Sequence, residues 1–237
     1  LSKGQYPGLV LLGDKGIGKR LIADYIAKEL LSTDNLEVCP DYLLVEPSNG
    51  SINIGQLEEL KKRSKYCAVT KEYKVYVIDD ADCMNNYSQN SLLKILEDGN
   101  ATNIFIFVAN KPLLSTIHSR CDTIRVNRPT DDEVRAYFNE KGLDLDETIL
   151  RIADNRIGIY NQLISNPDFV GDCKRIYNSF LNLINKRDLL NAFGLVKEKD
   201  KNSFYDSNPI ENVILFINYI KELFKDVLYD YMGVPNG

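Results

Sequence analysis

A single histidine, His118, and five scattered cysteines (Cys39, Cys67, Cys83, Cys121 and Cys173) are all that 237 residues offer for imidazole or thiol chemistry. No two cysteines stand at the C-x-x-C spacing of a zinc or redox site, so reduced and mostly buried thiols are expected, with no Cys/His set for a structural zinc. One histidine also leaves too few parts for a conventional Ser-His-Asp or Cys-His hydrolase. No apolar run reaches the length that crosses a bilayer, and Leu1-Ser2-Lys3-Gly4 lacks the charged and apolar regions of a secretory signal. The expected location is the cytoplasm, with no membrane partner. Positive charge is not in excess either. With 29 Lys and Arg against 34 Asp and Glu the net charge is −5, the wrong sign for a stand-alone nucleic-acid binder, so any DNA contact should be local or delegated to a partner. Repeats and low-complexity tracts are absent. What remains, 44% hydrophobic and 27% charged residues, is the composition of a chain that buries a core.

Up to about residue 128 the sequence alternates strand-like apolar runs with amphipathic segments, the pattern of a parallel sheet with helices on both faces. Strands are expected at Gly8–Leu12, Tyr42–Val45, Lys74–Ile78, Ile104–Ala109 and Thr123–Val126, and helices at Lys19–Leu31, Gln56–Lys65, Ser88–Leu96 and Leu113–Ser119. Asn127-Arg128-Pro129 breaks this alternation, and Thr130 with Glu133 forms a capping-box signature that opens a helix. Three domains are expected: an α/β nucleotide-binding-type domain over 1–128, a helical lid over 129–166, and a helical, collar-like domain over 167–237. The last carries apolar stripes at Ile176–Leu183, Leu189–Val196 and Val213–Tyr229.

Gly13-Asp14-Lys15-Gly16-Ile17-Gly18-Lys19 follows the first strand and opens the first helix, the context of a phosphate-binding loop. Gly13, Gly16 and Gly18 let backbone N–H groups turn toward a phosphate, the helix N-terminus adds partial positive charge, and Lys19 reaches the outer phosphates. The next position calls for a Ser or Thr hydroxyl to ligate Mg²⁺, and Arg20 stands there instead. Asp79 and Asp80 end the third strand, where one carboxylate would hold the metal and the next polarise water, though Asp80 is shorter than the usual glutamate. The loop is therefore expected to keep the fold of a nucleotide site with weak or no hydrolytic chemistry and no metal. Arg20 either supplies the missing metal's charge over a diphosphate or is a solvated side chain on the first turn, and the second is the expectation.

Three blocks in order, Tyr73-Lys-Val-Tyr-Val-Ile-Asp-Asp-Ala-Asp82, Asn90-Ser-Leu-Leu-Lys-Ile-Leu-Glu97 and Leu114-Ser-Thr-Ile-His-Ser-Arg-Cys121, resemble the AAA+ clamp-loader subunits of bacterial DNA polymerase III, and among them the delta-prime subunits. The resemblance runs from about Pro7 to about Leu163. It implies a hetero-pentamer with gamma/tau-like and delta-like subunits that opens the sliding clamp and places it on primed DNA. It further implies that Ser119-Arg120-Cys121 supplies Arg120 to ATP held by the neighbouring subunit, where a guanidinium stabilises charge on the γ-phosphate. The alternative role for Arg120 is an intramolecular ion pair with an acidic neighbour. Asn110 matches the family's sensor-1 region, with a strand-end cap as its plainer role. No cofactor is required by this reading, with ATP or ADP at most weakly held.

Several positions depart from the family. The four-cysteine zinc module between the first helix and second strand is missing, so no zinc is expected. The glutamate-glutamate-proline turn reads Glu97-Asp98-Gly99. Asn161 stands where the lid's sensor-2 arginine belongs, and Arg156 is expected to be a surface residue. Only a short segment precedes the first strand, so the start is expected to be truncated. An active AAA+ ATPase of another replication or repair complex, using Lys19, Asp79 and Asp80 despite Arg20, is the alternative. Lys61, Lys62, Arg63 and Lys65 form a basic helical run that is either a solvated face or a contact for DNA phosphates. His118 is expected at a helix end rather than as a base.

Overall fold

The computed structural model describes residues 8–98 and 101–166, with 168, 170–172, 174–175, 214, 217–218 and 220–221. The chain divides into two compact units, residues 1–128 and 129–237. Cys173, Gly99 and the apolar stripes expected in the tail lie wholly or almost wholly outside the described residues.

The first unit runs β1 (Gly8–Leu12), α1 (Lys19–Leu31), β2 (Tyr42–Val45), α2 (Ile54–Ser64), β3 (Lys74–Ile78), α3 (Asn86–Asp98), β4 (Asn103–Ala109), α4 (Ser115–His118) and β5 (Cys121–Arg125). All pairings are parallel, in the order β2-β3-β4-β1-β5. β3 and β4 are buried along their whole length because helices cover both faces. On one face Leu9, Leu11, Val75, Val77, Ile106 and Val108 pack with Ala23, Ala27 and Leu31 of α1. On the other, Val10, Ile78, Phe105 and Phe107 pack with Leu57 and Leu60 of α2, Leu92 and Ile95 of α3 and Ile117 of α4. Tyr76 stacks on Phe105 with ring centroids 5.0 Å apart.

The second unit opens with α5 (Asp131–Lys141), where Thr130 and Glu133 form the expected capping box. α6 (Glu147–Ala153) is capped by Asp146, and α7 (Ile157–Ile164) follows. Phe138 meets Tyr160 edge-on at 4.9 Å, among Val134, Ile149, Leu150 and Leu163. Arg156, expected at the surface, is half-buried, and its Nε donates to the Ala153 carbonyl at 2.9 Å. Asn161 is exposed on α7.

At the N-terminal edge of the sheet Asp41 is fully buried. Its carboxylate accepts from the backbone N–H groups of Val69, Thr70 and Lys71 at 2.6–3.0 Å and from the Thr70 hydroxyl at 2.8 Å. Burial alone would raise its pKa, but these four donors together hold it below the usual carboxylate range. A depressed folded-state pKa contributes stability above the unfolded value and loses it as the pH falls through the folded one. Asp41→Ala should therefore cost about 3 kcal/mol in urea unfolding at neutral pH, because buried donors are left unpaired. The wild-type chain should lose stability on acidification below about pH 4, and Asp41→Asn should flatten that slope. A variant as stable as wild type would contradict this assignment.

Candidate functional site

The loop between β1 and α1 lies at the C-terminal edge of the sheet, where parallel strands present their ligand-binding end. Gly13 continues the ladder, its N–H donating to the Ala109 carbonyl at 3.2 Å, and it runs so close to β5 that a Cβ there would meet the Val126 carbonyl oxygen at 2.3 Å. Gly16 and Gly18 have φ of 85° and 94°, and Gly18 caps α1 from the left-handed region with no side chain on the helix N–H groups. The backbone of a phosphate cradle is thus in place.

The side chains around it are engaged with one another. Lys19 is buried, and its Nζ donates to the Asp14 carbonyl at 2.6 Å and to Asn110 Oδ1 at 3.0 Å. Burial lowers its pKa, against the pull of Asp80, Asp82, Asp14 and Asp79. Asn110 in turn donates its amide to Asp80 Oδ1 at 2.7 Å and Asp82 Oδ1 at 3.3 Å, and its backbone N–H to Asp82 at 2.7 Å. It is both the strand-end anchor and the bridge from Lys19 to the acids beyond β3. Asp80 occupies the left-handed region at φ 43°, and its Oδ1 is committed to Asn110, which does not suit it to polarise a water. Arg128 pairs with Asp14 at the mouth of the loop.

Arg20 is not a solvated side chain. Its Nε donates to Asp24 at 3.0 and 3.1 Å, and its Nη1 to Glu46 at 2.9 Å and to Asp79 Oδ2 at 3.2 Å. Although burial opposes it, the bonds to Asp24 and Glu46 raise its pKa further above the ordinary value. Asp79, whose carboxyl burial pushes upward, has its other oxygen on the Asp80 N–H at 2.9 Å. Both Asp79 oxygens are therefore used, one of them by a cation, and this donor set does not fit a Mg²⁺ ion. A nucleotide's phosphates fit the backbone cradle, provided that Lys19 turns from the Asp14 carbonyl.

Gly13, Gly16, Gly18, Lys19, Arg20, Asp79, Asp80 and Asn110 thus gather at one edge. Arg120 does not join them: its Nε donates to Glu97 at 2.9 Å, and its Nη1 to the Thr116 carbonyl at 3.0 Å and the Ser119 hydroxyl at 3.2 Å. Asp24, Glu46, Asp82 and Arg128 belong to the centre but are not legible as such in the motif. Only Asp24, four residues after Arg20 on one helix, carries a local signal. His118 ends α4 with Nδ1 2.9 Å from the Thr123 hydroxyl, as a helix-end residue. Lys61, Lys62, Arg63 and Lys65 are exposed, Arg63 pairing with Glu59 at 2.7 Å. Of the described cysteines, Cys39 and Cys121 are buried, Cys83 half-buried and Cys67 exposed.

Comparison with known proteins now adds a family. The chain is 33% identical to DNA polymerase III subunit delta' of Bacillus subtilis, over 47% of this chain and 39% of that protein. It is 30% identical to subunit delta' of Pseudomonas aeruginosa, over 47% and 40%. DNA polymerase III subunit gamma/tau of Mycoplasma genitalium is 25% identical over 97% of this chain and 44% of that protein. The matches span about two fifths of the length of these relatives. A solved structure of a DNA polymerase III gamma subunit-related protein from Thermotoga maritima aligns with a TM-score of 0.49 and 15% identity, covering 92% of this chain and 94% of that one. Residues 3–130, which hold the phosphate loop, both acids beyond β3 and Arg120, match the family described as DNA polymerase III, delta subunit, and the chain belongs to that family.

Proposed function

We propose that the chain is a delta-prime-like subunit of the DNA polymerase III clamp loader, a scaffold and arginine donor whose own phosphate loop does not hydrolyse ATP. It works in a hetero-pentamer with gamma/tau-like and delta-like subunits, on the sliding clamp and primed DNA. The observation that carries the donor role is the position of Arg120. It precedes β5, whose Cys121 is level with Gly8 and whose Arg125 is level with Leu12. Arg120 therefore sits at the opposite end of the strands from Gly13, six residue steps or about 20 Å away along the sheet at some 3.3 Å per residue. An arginine side chain does not bridge that distance, so whatever phosphate Arg120 serves belongs to another chain.

In the isolated chain Arg120 is held by Glu97, and its side chain keeps 37% of its exposure. Exposed pairs of this kind contribute roughly 0.2–1 kcal/mol. Such a pair opens at small cost when a neighbour's triphosphate offers a denser anion, and until then it keeps the guanidinium close to the rim. The non-hydrolysing half of the reading is supported by Arg20, which takes one Asp79 oxygen, and by the hydrogen bonds that engage the other Asp79 oxygen and Asp80 Oδ1. An active ATPase would need all of these contacts to break.

Arg120→Ala should leave the chain's unfolding free energy within about 1 kcal/mol of wild type and its assembly intact. The same variant should lower the ATPase rate of the assembled loader by about tenfold or more. Full clamp-stimulated ATPase in a normally assembled Arg120→Ala complex would exclude the donor role. The isolated chain should hydrolyse ATP no faster than background, with Lys19→Ala making no difference. A turnover that Lys19→Ala abolishes would instead establish the active-ATPase alternative. Elemental analysis of chain purified without chelators should find no stoichiometric zinc, since the described cysteines are dispersed.

A further inference from the structure

We infer that Arg20 is the resident cation of the phosphate-loop centre, a guanidinium standing where such a loop would hold a divalent metal, so that the centre is indifferent to Mg²⁺. This rests on the phosphate-loop reading of the site and not on the clamp-loader role, and the two fail separately.

The residue after the loop lysine lies on the first turn of α1 and faces the acid that ends β3, which is why a hydroxyl there and a carboxylate at Asp79 would share one ion. Here the same position sends a guanidinium to that carboxylate at 3.2 Å. The fork is fixed from three sides: Asp24 on α1 itself, Glu46 just after β2, and Asp79 at the end of β3. Tyr42 completes the arrangement by donating its hydroxyl to Asp24 at 3.0 Å. A guanidinium suits this role because its donors point in fixed directions and reach several carboxylates at once, and because it does not lose its proton in proteins.

Charge makes the replacement exclusive. Asp24, Glu46, Asp79, Asp80 and Asp82 bring five carboxylates near the loop; Arg20 is bonded to the first three, and Lys19 is linked to Asp80 and Asp82 through Asn110. A divalent ion at Asp79 would have to displace a guanidinium held by three carboxylates, or sit beside it and be repelled. The Asp79 oxygen not facing Arg20 is taken by the Asp80 N–H. Removing the guanidinium reverses the situation. It leaves three converging carboxylates without the guanidinium that holds them, a set of hard oxygen donors that a divalent ion can satisfy.

The test uses the full chain and Mn²⁺ as the probe, followed by electron paramagnetic resonance and by thermal unfolding with Mg²⁺ or chelator. Wild type and Asp79→Asn should give the same Mn²⁺ titration, and the wild-type midpoint should be the same in Mg²⁺ and in chelator. Arg20→Ser should melt lower than wild type in chelator and recover part of the loss in Mg²⁺. It should also bind Mn²⁺ at least about tenfold more tightly than wild type. A wild-type Mn²⁺ site that Asp79→Asn removes overturns the inference, and this arm holds even if Arg20→Ser does not fold. A folded Arg20→Ser chain that Mn²⁺ neither binds nor stabilises overturns it equally. Arg20→Lys, which keeps the charge without the fork, should melt lower than wild type and stay indifferent to divalent ions.

Discussion

Carboxylates and cations meet at the C-terminal edge of the sheet, and the form of that edge follows from how they pair. Lys19 is buried and Arg20 and Asp79 are largely covered where the parallel strands end, so these groups take their partners within the protein. Lys19 turns inward to Asn110 and the Asp14 carbonyl, Arg20 spans Asp24, Glu46 and Asp79, and Asn110 joins the two halves through Asp80 and Asp82. This pairing ties α1 to the ends of β2, β3 and β4. The phosphate cradle keeps its backbone while its charged side chains serve the protein's own cohesion.

The opposite edge is organised by backbone capping. Lys74, at the start of β3, points its ammonium at the carbonyls of Arg63, Tyr66 and Cys67 beyond the end of α2, at 3.3–3.4 Å. Asn103, at the start of β4, donates to the Ser64 carbonyl at 2.6 Å. Asp41 gathers the N–H groups of the turn that leads into β3. These buried polar groups satisfy helix and turn ends that apolar side chains could not. Arg120 stands at this end of the sheet, on a well-anchored base and remote from the chain's own loop. The proposed donor role would be served by such a base.

Most elements of the first unit can be read from hydrophobic periodicity, because β1, β3 and β4 are long apolar runs and α1 begins at a glycine-rich loop. α1, β1, β2 and β3 have the expected bounds. The differences have local causes. α2 begins at Ile54 rather than Gln56, because Asn53 and Gln56 form a capping box that pulls the start forward. β4 begins at Asn103, a polar residue that the buried cap on Ser64 accommodates. β5 is Cys121–Arg125 rather than Thr123–Val126, since pairing with Gly8–Leu12 sets its register and its edge position tolerates polar residues. The motif identifies the loop, Lys19 and the acids. It does not reveal the pairing of Arg20, because Glu46 and Asp79 lie 26 and 59 residues away and only the strand order brings them together.

The chain keeps the backbone framework of a phosphate loop and commits the charged side chains around it to structure, in keeping with the proposed contribution across an interface. That account stands or falls on assembly. The most direct measurement is to mix the full chain with gamma/tau-type and delta-type subunits and determine the mass and composition of the product by size-exclusion chromatography with light scattering. The account expects one five-subunit complex containing a single copy of this chain. A chain that elutes alone while the other subunits assemble without it would contradict the account.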